Sequence, residues 1–317
     1  MKILVTGACG YQGSKLVPIL LNKKHKIIAV DTQWFGNYLK KHKNLIILKK
    51  NILDLKKQDL KNVDLIIHLA SIANDPMGDI RQGLTWEISC LATMKLIENA
   101  IHNNVSKIIY ASSSSVYGLK KEKNVTEDLS LEPISIYNKA KMVAERTILS
   151  YQNSINISII RPATVCGLSP RMRFDLSVNM LTYQAIKNKI INVHGGKQIR
   201  PNIHIDDLMN VYLFFLNNNK KYNGIFNAGF ENLSILEIAN SIQKVVNSKI
   251  NIIKNVNDKR SYRIDSTKLI KLGFYPKKNI NNAINEINAY YLNKIDKIHD
   301  NCFSLKWLVA NQSKFFK

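Results

Sequence analysis

The first apolar run, Ile3-Leu4-Val5, ends at Thr6 and reads as a short buried strand over residues 1–6. After Gly13 the spacing changes. Leu16, Val17, Ile19, Leu20 and Leu21 recur at helical intervals, and a second apolar run, 27–30, ends in Asp31. Further runs at 45–48, 65–69, 107–110 and 157–160 predict four more strands. Residues 87–103 and 137–152 carry helical periodicity between them. Alternation of this kind predicts an α/β fold built on a doubly wound parallel sheet, with ligands bound beyond the carboxyl ends of its strands.

Past about residue 167 the loops lengthen, broken by Pro201 and by glycines at 195, 196, 224 and 229. The expected organisation is therefore a nucleotide-binding domain over 1–167 and a smaller, mostly helical substrate-binding lobe over 168–317. Segments near 202–230 are expected to return to the sheet. The tail is amphipathic, and Phe303, Leu305, Trp307 and Leu308 are expected to pack on the core or on a partner.

Between the first strand and the first helix lies Gly7-Ala8-Cys9-Gly10-Tyr11-Gln12-Gly13. The spacing is Gly-x-x-Gly-x-x-Gly, and its physics is that of a Rossmann-type dinucleotide turn. The glycines allow a tight turn and close backbone approach, and the helix N-terminus faces the pyrophosphate. Asp31 follows at the distance where a carboxylate accepts bonds from the adenosine ribose hydroxyls and repels a 2′-phosphate, so NAD is expected over NADP. The plainer reading is a glycine-rich turn in some other strand–helix unit.

Tyr137 and Lys141 stand one helical turn apart and share a face. A lysine ammonium beside a phenol favours the phenolate, so the tyrosine is expected to fall from its usual value near 10 toward neutrality. Such a tyrosine removes a proton from a sugar or alcohol hydroxyl as hydride leaves the carbon. Alone, Tyr-x-x-x-Lys is weak. Behind a dinucleotide turn it points to redox chemistry at a carbinol.

Composition adds less. The formal charge is +23, with lysines spread through the chain and no aromatic-interleaved basic stripe. An AT-rich coding bias explains the lysine, asparagine and isoleucine together. A nucleic-acid-associated protein is the rival reading, and it would show strongly salt-dependent binding. The expectation is no nucleic acid and no membrane partner, with the basic charge suiting a polyanionic substrate. Cys9, Cys90, Cys166 and Cys302 have neither metal nor disulfide spacing, so no metal is expected, and a reduced cytoplasmic protein fits.

Taken together, the motifs resemble the extended short-chain dehydrogenase/reductases, the NAD-dependent nucleotide-sugar epimerase/dehydratase family. They are Thr6-Gly7-x-x-Gly10-x-x-Gly13, His68-Leu69-Ala70, 111–118 (ASSSSVYG), Tyr137-x-x-x-Lys141, Arg161-Pro162 and 200–207 (RPNIHIDD). The resemblance implies a catalytic trio of Ser113, Tyr137 and Lys141. It implies cofactor contacts from Gly7, Gly10, Tyr11, Gln12, Gly13, Asp31, Asn51, Ile52, Leu69, Ala70, Ser71 and Ser89, and from Ala111, Ser112, Pro162 and Val165 besides the Tyr137–Lys141 pair. Asn51 replaces the usual acid near the adenine amino group, and Ser89 stands where an asparagine is common.

For the substrate, the resemblance implies Asn74, Asp75, Ser113, Ser114 and Thr164, then Asn179, Val193 and Arg200. Arg171 and Arg173 are expected to bring charge to the substrate diphosphate or a sugar hydroxyl, and Arg260 or Arg263 to serve as a further arginine. A solvated face or structural ion pair is the bland alternative for these arginines. Turn chemistry equally explains Asp75-Pro76. His204 and Asp207 are expected to be structural, with Asp206 capping a helix.

Ser114 and Ser115 follow Ser113 where relatives that eliminate, decarboxylate or epimerise at C3 and C5 keep acids or a cysteine. A serine hydroxyl is no base for a carbon acid near neutral pH. What survives is redox at one carbinol, expected at C4 of a nucleotide-diphosphate sugar. The tract 161–175 is similar to enzymes of bacterial surface-polysaccharide clusters, so the leading expectation is a 4-dehydrogenase, with a GDP-heptose as its candidate substrate. The alternatives are a 4-epimerase with tightly bound NAD and a non-catalytic NAD-binding sensor. A homodimer paired through 87–103 and 137–152 is expected by the same resemblance.

Overall fold

A computed structural model describes residues 1–217, 222–254 and 261–316. Its strands in chain order are β1 (Lys2–Thr6), β2 (Lys26–Asp31), β3 (Leu45–Lys49), β4 (Leu65–His68), β5 (Lys107–Ala111) and β6 (Asn156–Pro162). After these come β7 (Thr164–Cys166), β8 (Ile190–His194), β9 (Ile199–His204), β10 (Gly224–Ala228), β11 (Glu231–Ser234) and β12 (Lys249–Ile253). Seven form one parallel sheet in the order β10-β6-β5-β4-β1-β2-β3. The order reverses between β1 and β4, the crevice where doubly wound sheets bind ligands. β10 carries residues 224–228 to the sheet edge, while residues 202–204 stay in β9, outside this sheet. β11-β9-β7 and β12-β8 make two small sheets beyond it.

The alternating side chains of the buried strands feed two apolar layers. Ile3, Val5, Ile27, Ala29 and Ile67 face one layer, with α1 (Gly13–Asn22) and residues of 178–216 and 280–287. Leu4, Ile28, Val30 and Ile66 face the other, whose helical contributions include Leu96, Ile97, Ala144 and Ile148.

The helix expected over 87–103 is a rod in three pieces: 82–86, a wide π turn at Glu87–Leu91, and a regular helix over Ala92–His102. The helix that carries Tyr137 and Lys141 runs over Ile136–Leu149, and Ser135 Oγ caps it by accepting the Asn138 amide at 3.2 Å. Its expected last turn instead unwinds into turns closed by Ser150 N–H on the Arg146 carbonyl. His68 pins the sheet's centre. Its two ring nitrogens bond Thr6 Oγ1 at 2.6 Å and Thr93 Oγ1 at 2.9 Å.

The tail packs on the protein itself. Phe303 meets Phe174 and Tyr183, and Leu308 meets Ile72 and Met77. Trp307 Nε1 donates to the Trp34 carbonyl at 2.7 Å, and Trp34 stacks on Phe315. Residues 301–316 thus clasp the loop that follows β2. Among the described residues no helix is long and apolar enough to cross a membrane.

Candidate active site

A cleft opens at the sheet's reversal point. Gly7, Gly10, Tyr11, Gln12 and Gly13 line it with Asp31, Asn51, Ile52, Leu69, Ala70 and Ser71. Gly7 has φ +67°, and a Cβ there would sit 2.8 Å from the Ala70 amide nitrogen, so only glycine fits. Asp31 accepts the Cys9 amide at 3.0 Å and the Gln33 amide at 2.7 Å, which aims its carboxylate along the cleft. Burial pushes its carboxyl up, against those two bonds. The sequence expectation for this half of the site thus converges on one place.

Two further observations fit a bound dinucleotide. Ser112 Oγ, just beyond β5, and Ser89 Oγ, on the π turn, are buried hydroxyls without a hydrogen-bond partner. Polar groups left so are costly, and a ligand's hydroxyls or amide would satisfy them. Ala111, Pro162 and Val165 are buried at the same edge of the sheet.

Ser113 and Tyr137 come together. Ser113 bonds the Tyr137 hydroxyl. Ser113 Oγ also lies 2.7 Å from Ser115 Oγ, which donates to Asn138 Oδ1 in a very short bond. Lys141 Nζ donates to the Ala111 carbonyl at 2.8 Å and lies 4.7 Å from the Tyr110 ring centre.

The protein alone does not lower Tyr137. Burial, opposed by the Ser113 bond, raises its phenol to about 12, and the Asp75 carboxylate adds to the rise. Burial also lowers Lys141 to about 7, although Glu145 opposes this. The expected fall toward neutrality fails because Lys141 turns its ammonium to the Ala111 carbonyl and because desolvation penalises both charged forms.

The expected substrate residues scatter. Asn74 caps the short helix Asp75–Ile80 and donates to Asp175 at 2.8 Å. Asp75 accepts the Ser135 hydroxyl, and Ser114 Oγ meets the Tyr262 hydroxyl at 3.1 Å. Thr164 is half-buried on β7. Asn179 is fully buried, and its amide bonds the Gly167 amide, the Tyr11 hydroxyl and the Arg173 carbonyl. Val193 is fully buried in β8. Arg200 donates to its neighbour's carbonyl, and Arg263 is exposed with a bond to the Asn232 carbonyl. Arg260 lies outside the described residues.

Arg171 and Arg173 line the dinucleotide cleft. Arg173 forms a fork on Asp175, at 3.0 and 2.7 Å. Asp206 does not cap its helix. The His204 ring accepts the Asp206 amide, while the Asp206 carboxylate pairs with Lys15 and Lys278. Asp207 is buried and accepts the Lys277 and Lys278 amides. His204, Asp206 and Glu286 cluster at metal-binding distance, but Lys278 bridges both carboxylates and supplies the positive charge there.

Thr32, Trp34, Phe35, Lys50 and Ser304 complete the cleft. None belongs to a motif. The one sequence signal for Ser304 was the amphipathic tail around it.

A sequence model described as the NAD dependent epimerase/dehydratase family matches residues 3–229. The chain is 33% identical over 267 residues to an uncharacterized UDP-glucose epimerase, YtcB, of Bacillus subtilis (strain 168), covering 78% of this chain and 83% of that one. It is 29% identical over 231 residues to a putative UDP-glucose 4-epimerase of Methanocaldococcus jannaschii, with 68% and 73% covered. Among solved structures, UDP-glucuronic acid 4-epimerase from Bacillus cereus, in complex with UDP-glucuronic acid and NAD, superposes with TM-score 0.79 and 27% identity. That alignment covers 94% of this chain and all of the other. DesIV, a dTDP-glucose 4,6-dehydratase from Streptomyces venezuelae, reaches TM-score 0.85 at 19% identity, a likeness of fold.

Proposed function

This chain belongs to the NAD-dependent epimerase/dehydratase family, and on that premise we propose that it oxidises and re-reduces C4 of a nucleoside-diphosphate sugar, as a 4-epimerase. NAD is the cofactor. The observation that carries the reading is the content of the reaction point. Ser113 and Tyr137 meet there, and the two residues after Ser113 are hydroxyls engaged with Tyr262, Ser113 and Asn138. Neither can act as the base that elimination or decarboxylation needs.

Within that site Ser113 orients the sugar oxygen and Tyr137 takes its proton. The hydroxyl chain from Ser113 through Ser115 ends on an amide oxygen, which has no proton to relay. The proton therefore stays on Tyr137, available for return. Bound NAD supplies the hydride acceptor and a positive ring that favours the phenolate.

Retention of the cofactor separates an epimerase from a dehydrogenase. The clasp of residues 301–316 on Trp34 and Phe35 covers the adenosine end of the cleft and favours retention. The named relatives that act at C4 support the same choice. A 4-dehydrogenase on a GDP-heptose is the second reading, favoured by the 161–175 tract, where Thr164 and Cys166 depart from galactose epimerases.

The test is mass spectrometry of nucleotide released from the purified protein, followed by UDP-, GDP-, CDP- and dTDP-sugars with absorbance at the reduced-nicotinamide band. Isomerisation of a sugar without net NADH supports the epimerase. NADH in single-turnover amount with a keto product replaces it by the dehydrogenase. No nucleotide and no turnover would leave a non-catalytic protein.

A further inference from the structure

Arg171 is the anomalous charge of the cleft. It is 4% exposed, it lines the cleft, and its Nε has no hydrogen-bond partner. Arg173, two residues on, is neutralised by a fork on Asp175, whereas Arg171 makes no ion pair among the described residues. The Asp175 and Asp31 carboxylates act on Arg171 only from beyond ion-pair distance, and a buried guanidinium so placed is costly unless a ligand anion completes it.

Its position says which anion. The Arg171 backbone amide donates to Ser14 Oγ at 3.2 Å, and Ser169 Oγ donates to the Tyr11 carbonyl at 2.6 Å. Both bonds dock segment 169–171 on the glycine-rich turn and the first turn of α1, where the leading amides of the helix attract negative charge. The guanidinium lies 4.2 Å from the Phe35 ring centre, on the cofactor side. Nη2 donates to Ser304 Oγ at 2.8 Å and approaches the Asn301 carbonyl at 3.4 Å. Ring and tail together hold the guanidinium plane at the cleft wall, with Nε buried and without a partner.

We infer that Arg171 is a cationic ligand of the dinucleotide's pyrophosphate, oriented for it by the C-terminal segment through Ser304 and Asn301. The sequence expectation gave this arginine to the substrate, so the assignment moves it from one diphosphate to the other. It makes the tail part of the cofactor site: a contact 133 residues away sets the geometry of the charge. The inference rests on NAD as cofactor and not on the chemistry at C4.

The test is calorimetric titration of the nucleotide-stripped full chain with ADP-ribose and, separately, with UDP, alongside melting temperatures without nucleotide. For Arg171→Gln the ADP-ribose dissociation constant should rise about tenfold or more, the effect of losing a charge-assisted phosphate bond. The UDP constant should stay within about twofold, because the inference gives Arg171 to the cofactor's diphosphate alone. Ser304→Ala, which keeps the charge and frees its plane, should weaken ADP-ribose about threefold. If Arg171→Gln does not fold, Arg171→Lys and Ser304→Ala carry the test. Unchanged ADP-ribose binding in the folded variants overturns the inference, as does a loss confined to UDP.

Discussion

Arg161 and Glu145 meet in a buried two-pronged ion pair, with Nε and Nη2 donating to the carboxylate at 2.9 and 2.6 Å. The remaining prong, Nη1, donates to the Tyr117 hydroxyl at 2.7 Å, and that hydroxyl donates to Asn227 Oδ1 at 2.8 Å. One arginine on β6 therefore ties the catalytic helix to the loop bearing Ser113 and to β10. Glu145 lies one turn beyond Lys141, so the pair sets the position from which Lys141 and Tyr137 act. The Arg161-Pro162 motif is thus a support for the catalytic helix.

Glu145→Gln leaves a buried guanidinium without its counter-charge. Removing one partner of such a pair costs about 3–5 kcal/mol. Chemical denaturation should show a loss of that order with the m-value unchanged. A loss under about 1 kcal/mol would mean that the site readmits water and the pair is weak.

Tyr137→Phe removes the proton acceptor and keeps the ring. Turnover should fall by about 10²–10⁴, the usual size of a general-base contribution. NAD affinity should change less than about twofold, because the phenol faces Ser113. Full turnover in this variant would remove Tyr137 as the base.

Asp31→Ala removes the carboxylate at the ribose end of the cleft. The preference for NAD over NADP should narrow at least about tenfold, read as the ratio of two dissociation constants. NAD itself should bind more weakly, because the Cys9 and Gln33 amides lose their acceptor. An unchanged ratio contradicts the ribose assignment.

His68 gives the pH dependence a sign. Burial lowers it from 6.5 to about 3, so the folded protein keeps it neutral where the unfolded chain takes up a proton. Between those values the unfolded state binds more protons, and stability falls as pH drops through that window, by at most about 1.4 kcal/mol per pH unit from this group. Above 6.5 its contribution is complete. Melting curves from pH 7 to 4 should show the fall, and His68→Gln should flatten it.

Much of this protein was legible along the chain. The six leading strands, the glycine turn, Asp31 and the Ser113–Tyr137–Lys141 trio depend on contiguous runs, on the repeat of strand and helix, and on spacing within one turn. Those are local properties, and burial of both sheet faces leaves such runs few other places to go.

The remainder depends on contacts between distant segments, which no window of sequence contains. The Ser304 hydroxyl meets Arg171, and Trp307 meets the Trp34 backbone, only because the tail returns across the molecule. Asp206 sits at a helix start and looks like a cap, yet Lys15 and Lys278 take its carboxylate. Lys141 follows Tyr137 by one turn and looks like its activator, yet the carbonyl of Ala111 holds the ammonium. Pattern and spacing decided which elements form and which residue types stand near the chemistry. Packing decided which partner each charge meets and how much water it loses, and those two quantities set its pKa and its role.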